Sequence, residues 1–578
     1  MNAERLLTRY DRIADASNAI ARLRRFVLDL AVRGKLVEQD PADEPASELL
    51  KRIAAEKARL VKAGEIRKTK AVPSLEPDGL PFPLPHGWAW TQIAEIGVIS
   101  PRNEAPDDLE ASFVPMPMIA AEYGEANGHE PRQWGEIKKG YIHFAEGDVG
   151  LAKITPCFEN GKSTVFRNLI GGIGAGTTEL HVVRPLFVDA DYIVLFLKSP
   201  YFIQTGIPKM TGTAGQKRVP KEYFTTSPFP LPPLAEQRRI VAKVDELMAL
   251  LDRLEAARTA REATRDRLTA ASLARLTAPD TEPETFPNDA RFAIATLPAL
   301  TARADQIKPL RQAIINLAVR GKLVEQDPAD EPASVLLDRA KKAKKALREE
   351  RRIGRSEGPE YSESPGEASA PRHWSWSYLA DFAMVLGGKR LPAGTSFSKE
   401  PTEHIYIRVT DMKGGTISDD GIKFISPEVQ NKIAKYTIDQ EDIYITIAGT
   451  IAEVGMVPAL FHGQNLTENA AKIVFREVDR GFLILALRSN DVQSQFAEKT
   501  KQMAQPKLAL KRILGARVPL PPLAEQHRIV AKVDALMTLC DRLETALAQA
   551  DATRARLLEA LLHEALAPAA DLVAEAAA

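Results

Sequence analysis

Cysteine is nearly missing from this 578-residue chain: only Cys157 and Cys540 occur, far apart, and neither belongs to a CxxC pair. That excludes a disulfide framework and a cysteine-built structural zinc site, and it points to a reducing compartment, the cytoplasm. No run approaches the 18 consecutive apolar residues of a membrane span, and the charged N-terminal stretch has no secretory apolar core. The nine histidines are scattered, with no HExxH pair for a metal. Net charge is absent too, because 77 Lys+Arg balance 77 Asp+Glu. A polyanionic partner therefore has to be sought in the local distribution of charge.

Nucleotide and cofactor motifs are also lacking. No N-P-P-[FY] or D-P-P-[FY] methyltransferase tetrapeptide occurs, since both Pro-Pro pairs are followed by Leu. Asn160-Gly161-Lys162-Ser163 ends like a phosphate loop, but Pro156 stands where the first glycine is required. Gly171–Gly176 (GGIGAG) lacks the dinucleotide-binding spacing and reads as a turn.

What the chain does contain is itself, twice. LAVRGKLVEQDPADEPAS stands at Leu30–Ser47 and again, unchanged, at Leu317–Ser334. PLPPLAEQRRIVAKVDELMALLDRLE at Pro230–Glu255 matches Pro519–Glu544 in 22 of 26 positions. The offsets, 287 and 289 residues, describe a tandem copy of a domain-sized unit rather than a solenoid. Between the copied segments each half carries an insert, from Trp88/Trp90 or Trp374/Trp376 to its PLPPLAEQ run, and the two inserts barely align. A preserved frame with divergent inserts implies one mechanical role and two recognition roles.

The frame reads as helical. Leu23, Phe26, Val27, Leu30 and Ala31 form an amphipathic stripe stopped by Gly34, and Leu310 through Ala318 with Gly321 repeat it. After each PLPP breaker, Ile240-Val244-Leu247-Leu251-Leu254 and Ile529-Val533-Leu536-Cys540-Leu543-Leu547 alternate steps of four and three, the spacing of a coiled-coil seam. In the first copy the seam then meets Arg258, Arg261 and Arg265, where it must shift or end. The inserts read as short strands and loops, with strands expected at Thr178–Val183, Glu403–Val409 and Glu441–Gly449. Thr277–Pro287 and Gly354–Pro371 read as linkers. The fold class is thus α+β, two mixed domains (80–228 and 372–517) among helical regions 1–72, 229–353 and 518–578.

Charge concentrates just before each PLPP breaker. Lys209, Lys217, Arg218 and Lys221 oppose only Glu222, and Lys501, Lys507, Lys511, Arg512 and Arg517 oppose no acid. Such side chains neutralise phosphates, while Gln216 and Gln505 have the groups to read an adenine edge. Lys153, Asn160 and Lys162 form a second candidate loop, with Thr446, Gly449 and Thr450 in the comparable place. The four tryptophans read as core anchors.

The duplicated motifs, together with Gly147–Lys162 and the paired Trp-x-Trp, resemble the specificity subunits of Type I restriction–modification enzymes. The resemblance covers essentially the whole chain. It implies that each insert reads one half of a bipartite double-stranded DNA target, and that the helices pair as an antiparallel coiled coil. It further implies two methyltransferase subunits, which bind S-adenosylmethionine, and restriction/translocase subunits using ATP and Mg. This chain would bind none of these cofactors and catalyse nothing. Leu30, Gly34, Leu317, Gly321, Leu234, Glu236, Gln237, Leu523, Glu525 and Gln526 are its expected scaffold and docking residues. A dimeric reader on one face of B-DNA needs about 34 Å between its reading elements, roughly 23 helical residues, which the long seams supply. Two other functions compete: a Type IIB-like subunit, and a coiled-coil protein adaptor.

Overall fold

The structure, a computed structural model, describes residues 15–67, 72–76, 79–278, 285–350, 371, 373–497 and 507–566. The chain divides into two compact units, 1–261 with 551–578, and 262–550. Each unit therefore holds copied frame and inserted domain together.

In the first unit, helices Ala19–Val32 and Ala46–Lys62 precede the insert. The first helix ends as its sequence dictates: Gly34 takes φ +65°, and Lys35 N donates to Leu30 O at 3.0 Å. A side chain at Gly34 would place its Cβ 2.3 Å from Pro85 Cγ. Gly321 (φ +66°) repeats this, with Lys322 N on Leu317 O at 3.0 Å.

The insert opens on β1 (Ala89–Gln92) and closes on β10 (Pro228–Leu231), which pair antiparallel. The closing strand runs three residues past the boundary at 228 expected from sequence. Between them stand two four-stranded sheets. One has the order β2 (Gly97–Ile99), β9 (Leu180–Pro185), β6 (Val149–Ala152), β7 (Ser163–Val165); the other is β4 (Glu130–Gln133), β3 (Glu110–Val114), β8 (Ile173–Gly176), β5 (Ile142–Ala145). Helix Ala190–Lys198, capped by the Asp189 carboxylate, packs its apolar run YIVLFL into the core.

The second unit repeats this plan with helices Ile307–Val319 and Ala333–Glu350. Its clasp is β11 (Ser375–Tyr378) with β21 (Arg517–Leu520). Its main sheet runs β12 (Ala383–Gly387), β20 (Ala470–Phe475), β17 (Ile443–Thr446), β18 (Val454–Met456). The other sheet differs: β13 (Tyr406–Ile407), β19 (Gln464–Leu466) and β16 (Thr437–Ile438) form three strands, beside the pair β14 (Met412–Lys413) and β15 (Thr416–Ile417). Of the strand expected at Glu403–Val409, Tyr406–Ile407 forms β13 and Ile405 adds an isolated bridge to Phe424.

Two long helices, Leu234–Leu276 and Leu523–Leu566, carry the seams. The seam does not face a partner helix along its whole length. Ile240, Val244 and Leu251 are buried in the first unit's own core with Val27, Tyr192 and Phe229, and Ile529, Val533 and Cys540 are buried in the second unit's core. Nor does the helix stop at its arginines. Arg258 donates to Ala16 O, Arg261 pairs with Asp15 at 2.6 Å and Arg265 with Glu262, so polar contacts replace the seam while the helix continues. In the first unit the long helices lie in opposite senses along Ala19–Val32. Arg24 pairs with Asp252 and Glu255, whereas Ser17 meets Asp551 and Lys35 Nζ donates to Leu566 O. Leu558, Leu561 and Leu562 complete that packing against Ala16 and Ala19.

Candidate nucleic-acid interface

In each unit a buried glutamate and glutamine at the start of the long helix hold the insert. Glu236 accepts from Trp88 Nε1 at 3.0 Å, and Glu525 from Trp374 Nε1 at 3.1 Å. Burial raises both carboxyl groups above the usual range. Gln237 accepts from Asp189 N at 2.8 Å and donates to Pro232 O at 2.9 Å; Gln526 does the same with Asp479 N and Pro521 O. All four side chains are buried, and Leu30, Leu317, Leu234 and Leu523 are half-buried. These residues tie insert to frame. Within this chain Glu236, Gln237, Glu525 and Gln526 present no surface for docking. Trp88 and Trp374 are likewise core anchors.

The two candidate loops of the first insert meet. Lys153 O accepts from Val219 N at 2.8 Å, Thr155 N donates to Lys217 O, and Ile154 bridges to Arg218. Thr211 and Arg218 exchange backbone hydrogen bonds, so the basic segment is a small hairpin whose exposed tip, 212–217, carries Gln216 and Lys217. Lys209, Lys221 and Asn160 are exposed beside it, while Lys153 and Lys162 are half-buried. Arg218 does not point outward as a free cation. Its Nε and Nη2 bind the Glu179 carboxylate at 2.9 and 2.8 Å, and Nη1 donates to Gln216 O. Hydrogen bonding to Arg218 holds the Glu179 carboxyl below the ordinary range. Arg218 braces the hairpin. Lys221 Nζ reaches Ser100 Oγ at 3.2 Å, and Lys162 Nζ reaches Met116 O at 3.3 Å.

The second insert builds the same junction from other residues. Ile447 O accepts from Leu508 N at 2.8 Å, the counterpart of Lys153 with Val219. Thr450, Lys507 and Lys511 are exposed and Arg512 is half-buried. Thr446 must leave the candidate set: it is fully buried, its hydroxyl donating to Thr450 O and accepting from Glu453 N. It shapes the hairpin. Lys501 and Gln505 lie outside the described residues.

Below each junction is a buried carboxylate that the sequence reading passed over. Asp148, before β6, accepts from Ala145 N and pairs with Arg184 at 2.8 Å; Asp442, before β17, accepts from Asp439 N and pairs with Lys472 at 3.1 Å. The acid-turn-strand pattern (Gly147-Asp148-Val149, Glu441-Asp442-Ile443) was the available signal. His181 supports the junction from beneath, with Nε2 3.1 Å from Val219 O and its ring stacked on Phe224. Burial pushes its imidazole down to about 4. Among the described residues no three His, Cys, Asp or Glu side chains gather to hold a metal ion, and no helix is long and apolar enough to cross a membrane.

Comparison with known proteins follows the same lines. Residues 371–550 match the family described as the Type I restriction modification DNA specificity domain. The specificity subunits of the Type I restriction enzymes EcoEI and EcoAI from Escherichia coli are each 38% identical, over 561 and 560 residues, covering 95% of this chain and 94% of each relative. The HsdS subunit from Thermoanaerobacter tengcongensis aligns over 85% of this chain and 99% of its own, at 20% identity and a TM-score of 0.41. Identity of 38% over 95% of the chain to the EcoEI and EcoAI subunits, with the duplicated frame and its two inserts, places the chain in the family of Type I restriction enzyme specificity subunits.

Proposed function

We propose that this chain reads a bipartite, asymmetric double-stranded DNA target, one half with each insert, and itself catalyses nothing. The carrying observation is the junction that recurs in both units: a strand-end loop joined to a basic segment, at matching places but with different side chains. Exposed Lys209, Lys217, Lys221, Lys507 and Lys511 suit phosphates, and Gln216 and Asn160 have the groups to read base edges. On this reading two methyltransferase subunits dock on the helical frame and supply S-adenosylmethionine. Restriction/translocase subunits supply ATP and Mg, and the complex works on cytoplasmic DNA.

Binding to duplexes as a function of salt is the test. Binding should weaken steeply with salt, and Lys217→Ala should lower affinity for all sequences while reducing the salt slope by about one. Methylome sequencing of cells expressing the chain with its partner subunits should return an interrupted motif with two unlike halves. Methyl transfer by the purified chain alone would overturn the non-catalytic reading. A protein adaptor would show no salt-dependent DNA affinity.

A further inference from the structure

Lys198 closes the apolar helix Ala190–Lys198 and is buried, yet none of its three hydrogen-bond partners is a carboxylate. Its ammonium donates to Ala120 O at 3.3 Å, Ala121 O at 2.8 Å and Gly161 O at 3.0 Å. Gly161 belongs to the loop that presents Asn160 and Lys162. Ala120 and Ala121 belong to a strap, residues 115–128, that follows β3 and whose Met116 carbonyl also receives Lys162 Nζ. The strap has a second anchor, Tyr123 Oη donating to Asp245 on the first long helix at 2.7 Å. A buried ammonium with all three hydrogens on backbone carbonyls of two segments fixes the distance between them; losing it cuts that link and takes the donor from Ala120 O and Ala121 O, while Gly161 O keeps Ser163 Oγ at 3.2 Å.

We propose that Lys198 is a positioning residue for DNA recognition by the first insert. Through the strap and Tyr123 it fixes the Asn160–Lys162 loop relative to the long helix. The inference rests on the reading of the inserts as DNA-recognition domains. The second unit keeps a cation at the corresponding helix end: Arg488, with Nη1 2.9 Å from where a Cβ on Gly415 would stand. An arginine is therefore the conservative replacement at this place.

The test uses the full chain in the complex in which it purifies. The motif is selected by the wild type from a random duplex library. Three probes follow: the selected duplex, and duplexes with one or the other half replaced. Lys198→Met should lower discrimination in one half by about tenfold or more, leaving the other half and the salt slope unchanged. Lys198→Arg should restore most of it. Tyr123→Phe, which removes only a hydroxyl, should weaken the same half, and its effect should be less than additive with Lys198→Met. Unchanged discrimination in Lys198→Met, an equal loss in both halves, or full additivity would overturn the proposal. If the wild type itself selects no two-part motif, the reading beneath the proposal fails instead.

Discussion

Replacing Gln237 by Leu keeps roughly the shape of the side chain but removes both of its hydrogen bonds from a fully buried place. The Asp189 amide and the Pro232 carbonyl, now paired at 2.8 and 2.9 Å, would be left without partners. Each orphaned buried group costs about 1–3 kcal/mol, so the pair costs about 2–6 kcal/mol, a large share of a domain's usual stability of about 5–15 kcal/mol. The damage should also be local. Asp189 caps the helix Ala190–Lys198, so that helix should open before the rest of the unit. Hydrogen exchange followed by mass spectrometry should show lost protection at 189–198 and none at 479–488, and urea denaturation gives the magnitude. Gln526→Leu should mirror the result in the second unit, since its bonds match within 0.1 Å. A loss under about 1 kcal/mol, or opening in both units from one substitution, would refute the reasoning.

Gly34→Ala and Gly321→Ala each force a Cβ to within 2.3 or 2.5 Å of a proline ring at positive φ, and should each cost about 2–4 kcal/mol by urea denaturation. The His181 imidazole, held at about 4 against an ordinary 6.5, is neutral in the folded chain where the unfolded chain would be protonated. Stability present above pH 6.5 is therefore lost as pH falls toward 4, by up to about 3 kcal/mol. His181→Gln should flatten that acid slope, read from urea midpoints at pH 4.5 and 7. Arg218→Ala, unlike Lys217→Ala, should alter half-site selectivity more than salt slope, because it frees Glu179 and loosens the hairpin; equal changes in slope would place Arg218 on phosphate.

Much of this was legible in the sequence because it is periodic or repeated. The duplication, the glycine-stopped helices, strands overlapping Thr178–Val183 and Glu441–Gly449, and the Trp88 and Trp374 anchors all follow from pattern alone, although the second strand stops at Thr446 and Trp90 and Trp376 are only half-buried. The site was legible as segments and opaque as side chains. Thr446 and Thr450 look alike in sequence, but only the first faces inward, because β17 is buried on both faces. Arg218 counts as charge until Glu179, 39 residues away, is seen to hold it. Lys198 carried a faint signal, a cation closing the same apolar helix as Arg488, which is legible once the inserts are aligned. The strap it holds belongs to one insert and has no repeat to reveal it.

The clasp between β1 and β10 joins Gln92 to Pro228 side by side, as β11 and β21 join Tyr378 to Arg517. An insert of well over a hundred residues thus leaves and re-enters the frame through a single four-pair ribbon. For inheritance, this makes the insert a cassette. A crossover within the conserved flanks would deliver a new reading surface whole, with its exits already at the spacing the frame demands. A lineage can then change the address it protects in one event, provided the new insert still meets the helices beneath, as Asp189 N meets Gln237 here.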